Sequence, residues 1–479
     1  MIMKRRPDSA DAREGPLPTL FAALFGAFLG LSLVKFGNPP IFENAVTAPT
    51  NAYQFVLGSP WPIAWAYGLL AIVGLAGVFV AKPKITSPSW LLALPLVWLI
   101  WECLAALFTA NPGLTKPTVA HFVACIGCFY LGLFALASVR QLNAFWPGLI
   151  LGFLIVIAVG WEQHFGGLEQ TRKYFFLYIY PRLKEVPPEY LKKINSTRIF
   201  STLFYPNALA GAMLLLLPAI LEVIWQYRER FTFGARVFLV SVVAVGALGC
   251  LIWSGSKGGW LLMLILGLIW LLRLPFSRTL KRAIVLTMLA VGLAGFFWRY
   301  SGFFQKGATS VGARFDYWQA AVKTMTANPF FGSGPGTFSV AYQKVKRPES
   351  EMARLVHNDY LEQGSDSGLP GLILYTAFVI GILVVSCPMG GFASGQIGSW
   401  RDWIKGRTDQ KTSAGREIKT LESTPHWGFE PVRFVLWLGL LGWALQGFLE
   451  FGLYIPGLAW PAFAIMGLLL GRKRTTDEH

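Results

Sequence analysis

Residues 237–273 read VFLVSVVAVGALGCLIWSGSKGGWLLMLILGLIWLLR. Val237 to Ser254 carries no charge, and neither does Gly258 to Leu272. Lys257 alone interrupts them, inside the turn Ser254-Gly255-Ser256-Lys257-Gly258-Gly259. A helix rises about 1.5 Å per residue, so each run comes close to the roughly 30 Å of a bilayer's hydrocarbon core. Only helices and closed barrels satisfy their own backbone in that medium. Two apolar runs joined by a glycine-rich turn therefore predict a helical hairpin inside a membrane.

The rest of the chain repeats this pattern. Its 479 residues are 54% hydrophobic and 14% charged, with a mean hydropathy of +0.50. Soluble domains hold about 25% charged residues, so an ordinary globular enzyme is excluded. Twelve apolar runs are predicted to span, near 17–36, 61–81, 90–108, 117–138, 144–165, 207–225, 237–254, 258–273, 283–298, 369–389, 433–451 and 455–471. The fold class is thus an all-α polytopic membrane protein. The first run follows Lys4, Arg5 and Arg6. It is too long for a signal-peptide core and lacks a small-residue cleavage site, so it reads as a retained span.

The net charge of +17 suggests nucleic acid until the 42 lysines and arginines are placed. Long apolar runs separate them, which leaves no continuous basic face for a duplex. They do orient the chain. With the N-terminus inside, more than half fall in the inner connections, among them Lys82, Lys84, Arg140, Arg228, Arg230, Arg273, Arg278 and Arg472. The short outer connections hold only Lys116 and Lys257, with Lys35 at a helix end. Both termini are then expected to be cytoplasmic, with lipids as neighbours.

Five segments result: a five-helix region 1–165, a long outer loop 166–206, central helices 207–298, a second long outer loop 299–368, and C-terminal helices 369–479. The last contains a polar inner insertion at 390–432 that reads as flexible. Long outer loops are where chemistry is expected. The GxxxG spacings Gly26/Gly30 and Gly148/Gly152 predict close helix approach. Cys125 and Cys128 form a CxxC with no second ligand pair, and read as small residues at a helix contact.

Within the second loop stands Val356-His357-Asn358-Asp359-Tyr360-Leu361-Glu362-Gln363-Gly364, leading to Gly368-Leu369-Pro370-Gly371. At helical spacing His357, Leu361, Gly364 and Gly368 share one face, while Asp359, Glu362 and Asp366 share another. Imidazole accepts protons well near neutral pH, which makes His357 a candidate base. The stretch reads equally as an interfacial histidine capping a helix. Glu102, Glu162, Glu222, Glu450 and His121 fall in or beside spans, where snorkelling or a neighbouring hydrogen bond suffices. Phe175, Phe176, Tyr178 and Tyr180 look like an interfacial aromatic belt.

His357-Asn358, nine residues, then Gly368-x-x-Gly371 resembles the signature of the O-antigen ligase and O-antigen polymerase superfamily. Three further stretches are similar to it. They are Arg198 to Gly211 with its Pro206-Asn207 helix start, the Ser254–Gly259 turn, and Arg314-Phe315-Asp316-Tyr317-Trp318 followed by Asn328 to Gly334. Together they cover about 195–390. Many members carry arginine where Lys257 stands, and the insertion 390–432 is not a family hallmark.

The resemblance implies a GT-C-like membrane glycosyltransferase of the bacterial inner membrane, working at the periplasmic face. Its donor would be an undecaprenyl-diphosphate-linked glycan and its acceptor a lipid A–core or another glycan. Transfer would invert the anomeric centre without a metal or cofactor. His357 would be the catalytic base, with Arg198, Arg314, Lys257 and Asn358 binding substrate. A polymerase joining lipid-linked repeat units shares these motifs. A protein-directed O-oligosaccharyltransferase is a third relative, and a twelve-helix polysaccharide or solute transporter is the more distant alternative, from another class. Arg198 could otherwise snorkel, Lys257 could pin its turn, and Arg314 could pair with Asp316 or Glu349.

Overall fold

A computed structural model describes residues 15–56, 58, 60–82, 88–182, 191, 194–274, 276–305, 309–348, 350–388 and 429–472. The N-terminal cluster Lys4–Arg13, most of the 390–432 insertion and Glu349 lie outside the described residues. Among the described residues there are helices and no strand, which bears out the all-α polytopic reading. Nine stretches there are long and apolar enough to cross a bilayer, and the helices Pro431–Gln446 and Pro456–Gly471 are apolar but shorter.

The main helices are α1 (Pro16–Lys35), α2 (Ile63–Val80), α3 (Ser89–Ala106), α4 (Pro112–Tyr130), α5 (Trp146–Glu162), α6 (Pro206–Gln226), α7 (Phe233–Trp253) and α8 (Lys257–Arg273). After them come α9 (Arg278–Gln305), α10 (Thr309–Ala327), α11 (Phe338–Val345), α12 (Asp359–Val385), α13 (Phe429–Gln446) and α14 (Pro456–Gly471). Their starts follow from sequence. Pro112, Pro206 and Pro456 sit where a helix lacks amide acceptors anyway, and Asn111, Thr232, Ser256 and Asn358 cap free amides with their side chains.

Close backbone contact organises the bundle. Helices α1 and α5 cross so tightly that a Cβ on Gly152 would collide with the Gly30 carbonyl, and one on Gly148 with the backbone of Ala27. In lipid, association relies on such packing because the tails are as apolar as the helices. Cys125 and Cys128 are buried in α4 as free thiols.

The expected outer loops prove largely helical. Beyond α5 the chain continues through Gln163–Gly167 into a short helix Leu168–Tyr174, and α10, α11 and the start of α12 all lie within 299–368. Helix α12 begins at Asp359, well before the expected 369, and bends at Ser367–Gly368. Gly368 has φ +73, and a Cβ there would strike the Phe330 carbonyl; the next amide, Leu369 N–H, donates to Pro329 O at 2.8 Å. That docking explains why glycine follows the His-Asn pair at this distance.

Before the bend, α12 is polar yet buried. The Trp98 indole donates to Gln363 Oε1 (2.8 Å), Ser367 Oγ to Glu102 Oε1 (2.5 Å), and Tyr454 OH to Asp366 Oδ2 (2.8 Å). The Gly336 amide also donates to Asp366 Oδ2, at 2.7 Å. These bonds fasten the polar half to α3, to the 332–336 turn and to the segment before α14. Glu102 therefore bonds a neighbour and does not snorkel. We expect Gly152→Val to destabilise the protein by about 1–3 kcal/mol through overpacking at the α1–α5 crossing. Thermal unfolding in detergent measures this, and an unchanged transition would refute the close-contact role.

Candidate active site

Five short segments meet at one end of the bundle. The first leads from Arg198 through a turn at Ser201–Leu203 into α6. The Gln163 side chain holds it, accepting from the amides of Phe200 (3.0 Å) and Ser201 (2.8 Å). The second is the Ser254–Lys257 turn. Gly255 there has φ +62, and the Arg198 side chain lies across it; a Cβ would stand 3.2 Å from Arg198 Nε. Arg198 Nε donates to Ser254 O (2.6 Å) and its terminal nitrogen to Asn207 Oδ1 (2.7 Å). Arg314 on α10 is the third.

His357 is the fourth segment and Glu450, in the turn between α13 and α14, is the fifth. Glu450 is buried and receives three partners. Asn207 Nδ2 donates to Oε1 at 2.5 Å, Arg314 pairs with the same oxygen, and His357 Nδ1 stands 3.1 Å from Oε2. Asp359 fixes the turn opposite the histidine. Its carboxylate accepts the Leu453 amide at 3.1 Å, and its own amide donates to Gly447 O at 2.7 Å. The His357 ring lies between Phe451 (4.8 Å, edge-on) and Tyr317 (6.0 Å).

Burial pushes the Glu450 carboxyl up, but the His357 hydrogen bond and the charges of His357, Arg314 and Arg198 outweigh it and hold the group below its ordinary value. Lys257, ahead of its apolar run, is pushed down to about 8, first by burial and then by the charges of Arg198, Arg314 and Arg299. One carboxylate thus faces several cations, and the net field favours an anion.

Among the described residues, the non-glycine residues with positive φ are Ser201 (55°), Phe204 (60°) and His357 (57°), and all three border this site. Such backbone costs about 1–3 kcal/mol per residue and persists only where the surroundings impose it. His357 is held from both sides, because Val356 N–H donates to Glu362 Oε2 (3.1 Å) and Asn358 caps α12. The ring opens onto a cavity of about 390 Å³, to which Arg172, Arg198, Tyr205, Asn207 and Glu450 also contribute.

Arg198, Arg314 and His357 therefore meet around Glu450, and Lys257 lies within electrostatic reach. The expected helical face shared by His357 and Leu361 does not form, because His357 precedes the cap and its backbone is left-handed. Asn358 spends its side-chain oxygen on the amides of Tyr360 (3.1 Å) and Leu361 (3.0 Å). Arg314 pairs with Glu450 and not with Asp316, which accepts from Ser350. Sequence reasoning missed Glu450 and Asn207; the Pro206-Asn207 helix start was the one signal for the latter. Among the described residues no three histidine, cysteine or carboxylate groups gather to hold a metal ion.

Residues 242–376 match the family model described as O-antigen ligase, a span that contains Lys257, Arg314 and His357 but neither Arg198 nor Glu450. The resemblance to the O-antigen ligase and polymerase superfamily is borne out there. The chain is also similar to an uncharacterised protein of Haemophilus influenzae, 29% identical over 181 residues, which cover 32% of this chain and 43% of that protein. The chain thus spans less than half of that relative's length.

Replacing Glu450 by leucine would leave Arg314 and Asn207 without their shared partner. We expect a loss of about 3 kcal/mol, within the range for breaking a largely buried pair, seen as a lower unfolding temperature. A wild-type transition would show that the carboxylate is not the hub.

Proposed function

We propose that this protein transfers a glycan from an undecaprenyl diphosphate to an acceptor hydroxyl at the periplasmic face of a bacterial inner membrane, as a ligase acting on a lipid A–core or other glycan acceptor. The observation that carries this reading is the His357–Glu450 pair opening into the cavity that Arg198 borders. Orientation is supported by the opposite end of the bundle. There the side chains of Arg273 and Arg472 bond the carbonyls of Pro388 and Val139, and Arg433 donates to Arg472 O (2.7 Å). Cations in short connections and beside helix ends mark the cytoplasmic side, whereas the long loops that carry the site's cations are exempt from that rule.

The chemistry follows from the bonding. An ionised Glu450 can only accept, so His357 Nδ1 carries the proton between them and Nε2 is left free to take another. The acceptor hydroxyl passes its proton to Nε2 as its oxygen forms the bond to the anomeric carbon. The bond from that carbon to the diphosphate oxygen breaks on the opposite face, and the configuration inverts. Glu450 stabilises the imidazolium, and the leaving diphosphate keeps the electron pair beside Arg198, Arg314 and Lys257. The guanidinium groups suit paired phosphate contacts, whereas Lys257 acts as a point charge.

A polymerase would use the same donor and the same base, so the product must decide. In a deletion strain, a ligase leaves the lipid A–core bare while lipid-linked chains accumulate; single repeat units on the core would overturn the ligase reading in favour of a polymerase.

Three substitutions test the machinery. His357→Ala should lower transfer by about 10²–10⁴ in folded protein, and ordinary turnover would sink the base. Arg314→Lys should cost about tenfold or more in kcat/KM through loss of paired contacts. Lys257 binds the diphosphate while protonated, so donor affinity should fall as pH rises through about 8. Lys257→Arg should flatten that fall, and an unchanged pH profile would remove Lys257 from the anion site.

A further inference from the structure

A second cavity of about 370 Å³ adjoins the first, and Arg172 and Arg198 border both. Its other walls include Gln163, His164, Glu169, Trp253, Gly255 and Arg299. The reaction as derived uses neither His164 nor Trp253. The helical path runs past α5 through His164 and breaks just after it, at Phe165 (φ −91, ψ 22) and Gly166 (φ +137), and the His164 ring lies flat on Trp253. Their ring centroids lie 3.8 Å apart at 8°. Trp161 (4.9 Å, 74°) and Phe165 (5.6 Å, 81°) press on the indole edge-on. Indole and imidazole thus form one immobilised slab, and His164 is exposed at its surface.

The lining limits what can occupy this space. Glu169 and Arg172 bond each other at 2.9 Å, and a diphosphate would leave the flat aromatic wall unused. An isoprenoid tail would strip water from His164, Glu169 and Arg299 with nothing in return. A pyranose uses both kinds of wall, setting its ring C–H groups against an aromatic plane while its hydroxyls donate to carboxylate and accept from guanidinium.

We infer that this cavity is a glycan subsite, in which one pyranose of a substrate stacks against the His164–Trp253 pair while its hydroxyls engage Glu169 and Arg299. The inference rests on the glycan-transfer reading for the origin of that sugar. Donor and acceptor both present pyranoses, and the shared chemistry is what the cavity recognises. Arg198 then separates the stacked sugar from the base, so the subsite grips a ring adjacent to the one that reacts and sets its register.

The test is saturation-transfer NMR on the full chain in lipid nanodiscs, using the methyl glycosides of glucose, galactose, N-acetylglucosamine and rhamnose. At least one should bind the wild type. His164→Ala, and separately Glu169→Gln at the exposed rim, should weaken that binding about tenfold, while His357→Ala should leave it intact. In a transfer assay His164→Ala should raise KM about tenfold with kcat retained; a rise for the lipid-linked donor assigns the sugar to the donor, and a rise for the acceptor assigns it there. No binding by any of the four, equal binding in His164→Ala, or binding lost in His357→Ala would overturn the subsite. A wild type that binds a pyranoside but transfers no glycan would refute the transferase reading and leave the subsite standing.

Discussion

One carboxylate holds the site together. Glu450 is the shared partner of Arg314, Asn207 and His357, and through Asn207 it also sets the head of Arg198. These residues come from four separate stretches of chain, and nothing local would bring them to one point. A carboxylate removed from water must find such partners or become neutral. Its burial therefore compels the convergence, and its suppressed tendency to take a proton is the electrostatic result.

The scaffold around that contact is polar in an otherwise apolar bundle. The first half of α12 carries Asp359, Glu362, Gln363 and Asp366, all buried, where lipid-facing helices carry leucine. Their bonds reach α3, the 332–336 turn and the Leu453–Tyr454 segment, and none of these partners can slide without stranding a polar group in low dielectric. Asp359 shows the use of this arrangement. It stands two residues after His357 and grips the turn that holds Glu450, so the proposed base and the carboxylate bonded to it share one support.

Much of this was legible in the sequence, and what was not has physical reasons. The spans follow from hydropathy because lipid demands long apolar helices, and glycine at 30, 148 and 152 marked a real backbone contact. The interiors of the two long outer segments were opaque. Helices such as α10 are neither apolar throughout nor strongly periodic, so no window separates them from loop. The spacing to Leu361 fits His357 to a helical face, but capping by Asn358 and docking of Asp359 force its backbone left-handed. Glu450 was hidden more deeply. A lone glutamate ending an apolar run looks the same whether it snorkels to water or reaches a histidine 93 residues away. Glu222, bonded to Gln226 one turn along, presents the same local pattern.

A base and an anion clamp make opposing demands on their surroundings. The proposed clamp needs positive potential, which Arg198, Lys257, Arg299 and Arg314 would supply; burial first, and then the neighbouring guanidinium charges, depress the proton affinity of Lys257. A proton passed to the proposed base, His357, would add one more positive charge to that cluster. Glu450 reconciles the two by position. Oε1 takes Arg314 and Asn207, on the cation side, and Oε2 faces His357. The histidine thus meets a negative charge before it meets any of the guanidinium groups. The cations remain in excess for a diphosphate because a single carboxylate cannot neutralise all of them. Reducing the cluster to one cation would relieve the base and lose the anion, and a second carboxylate would do the same from the other side.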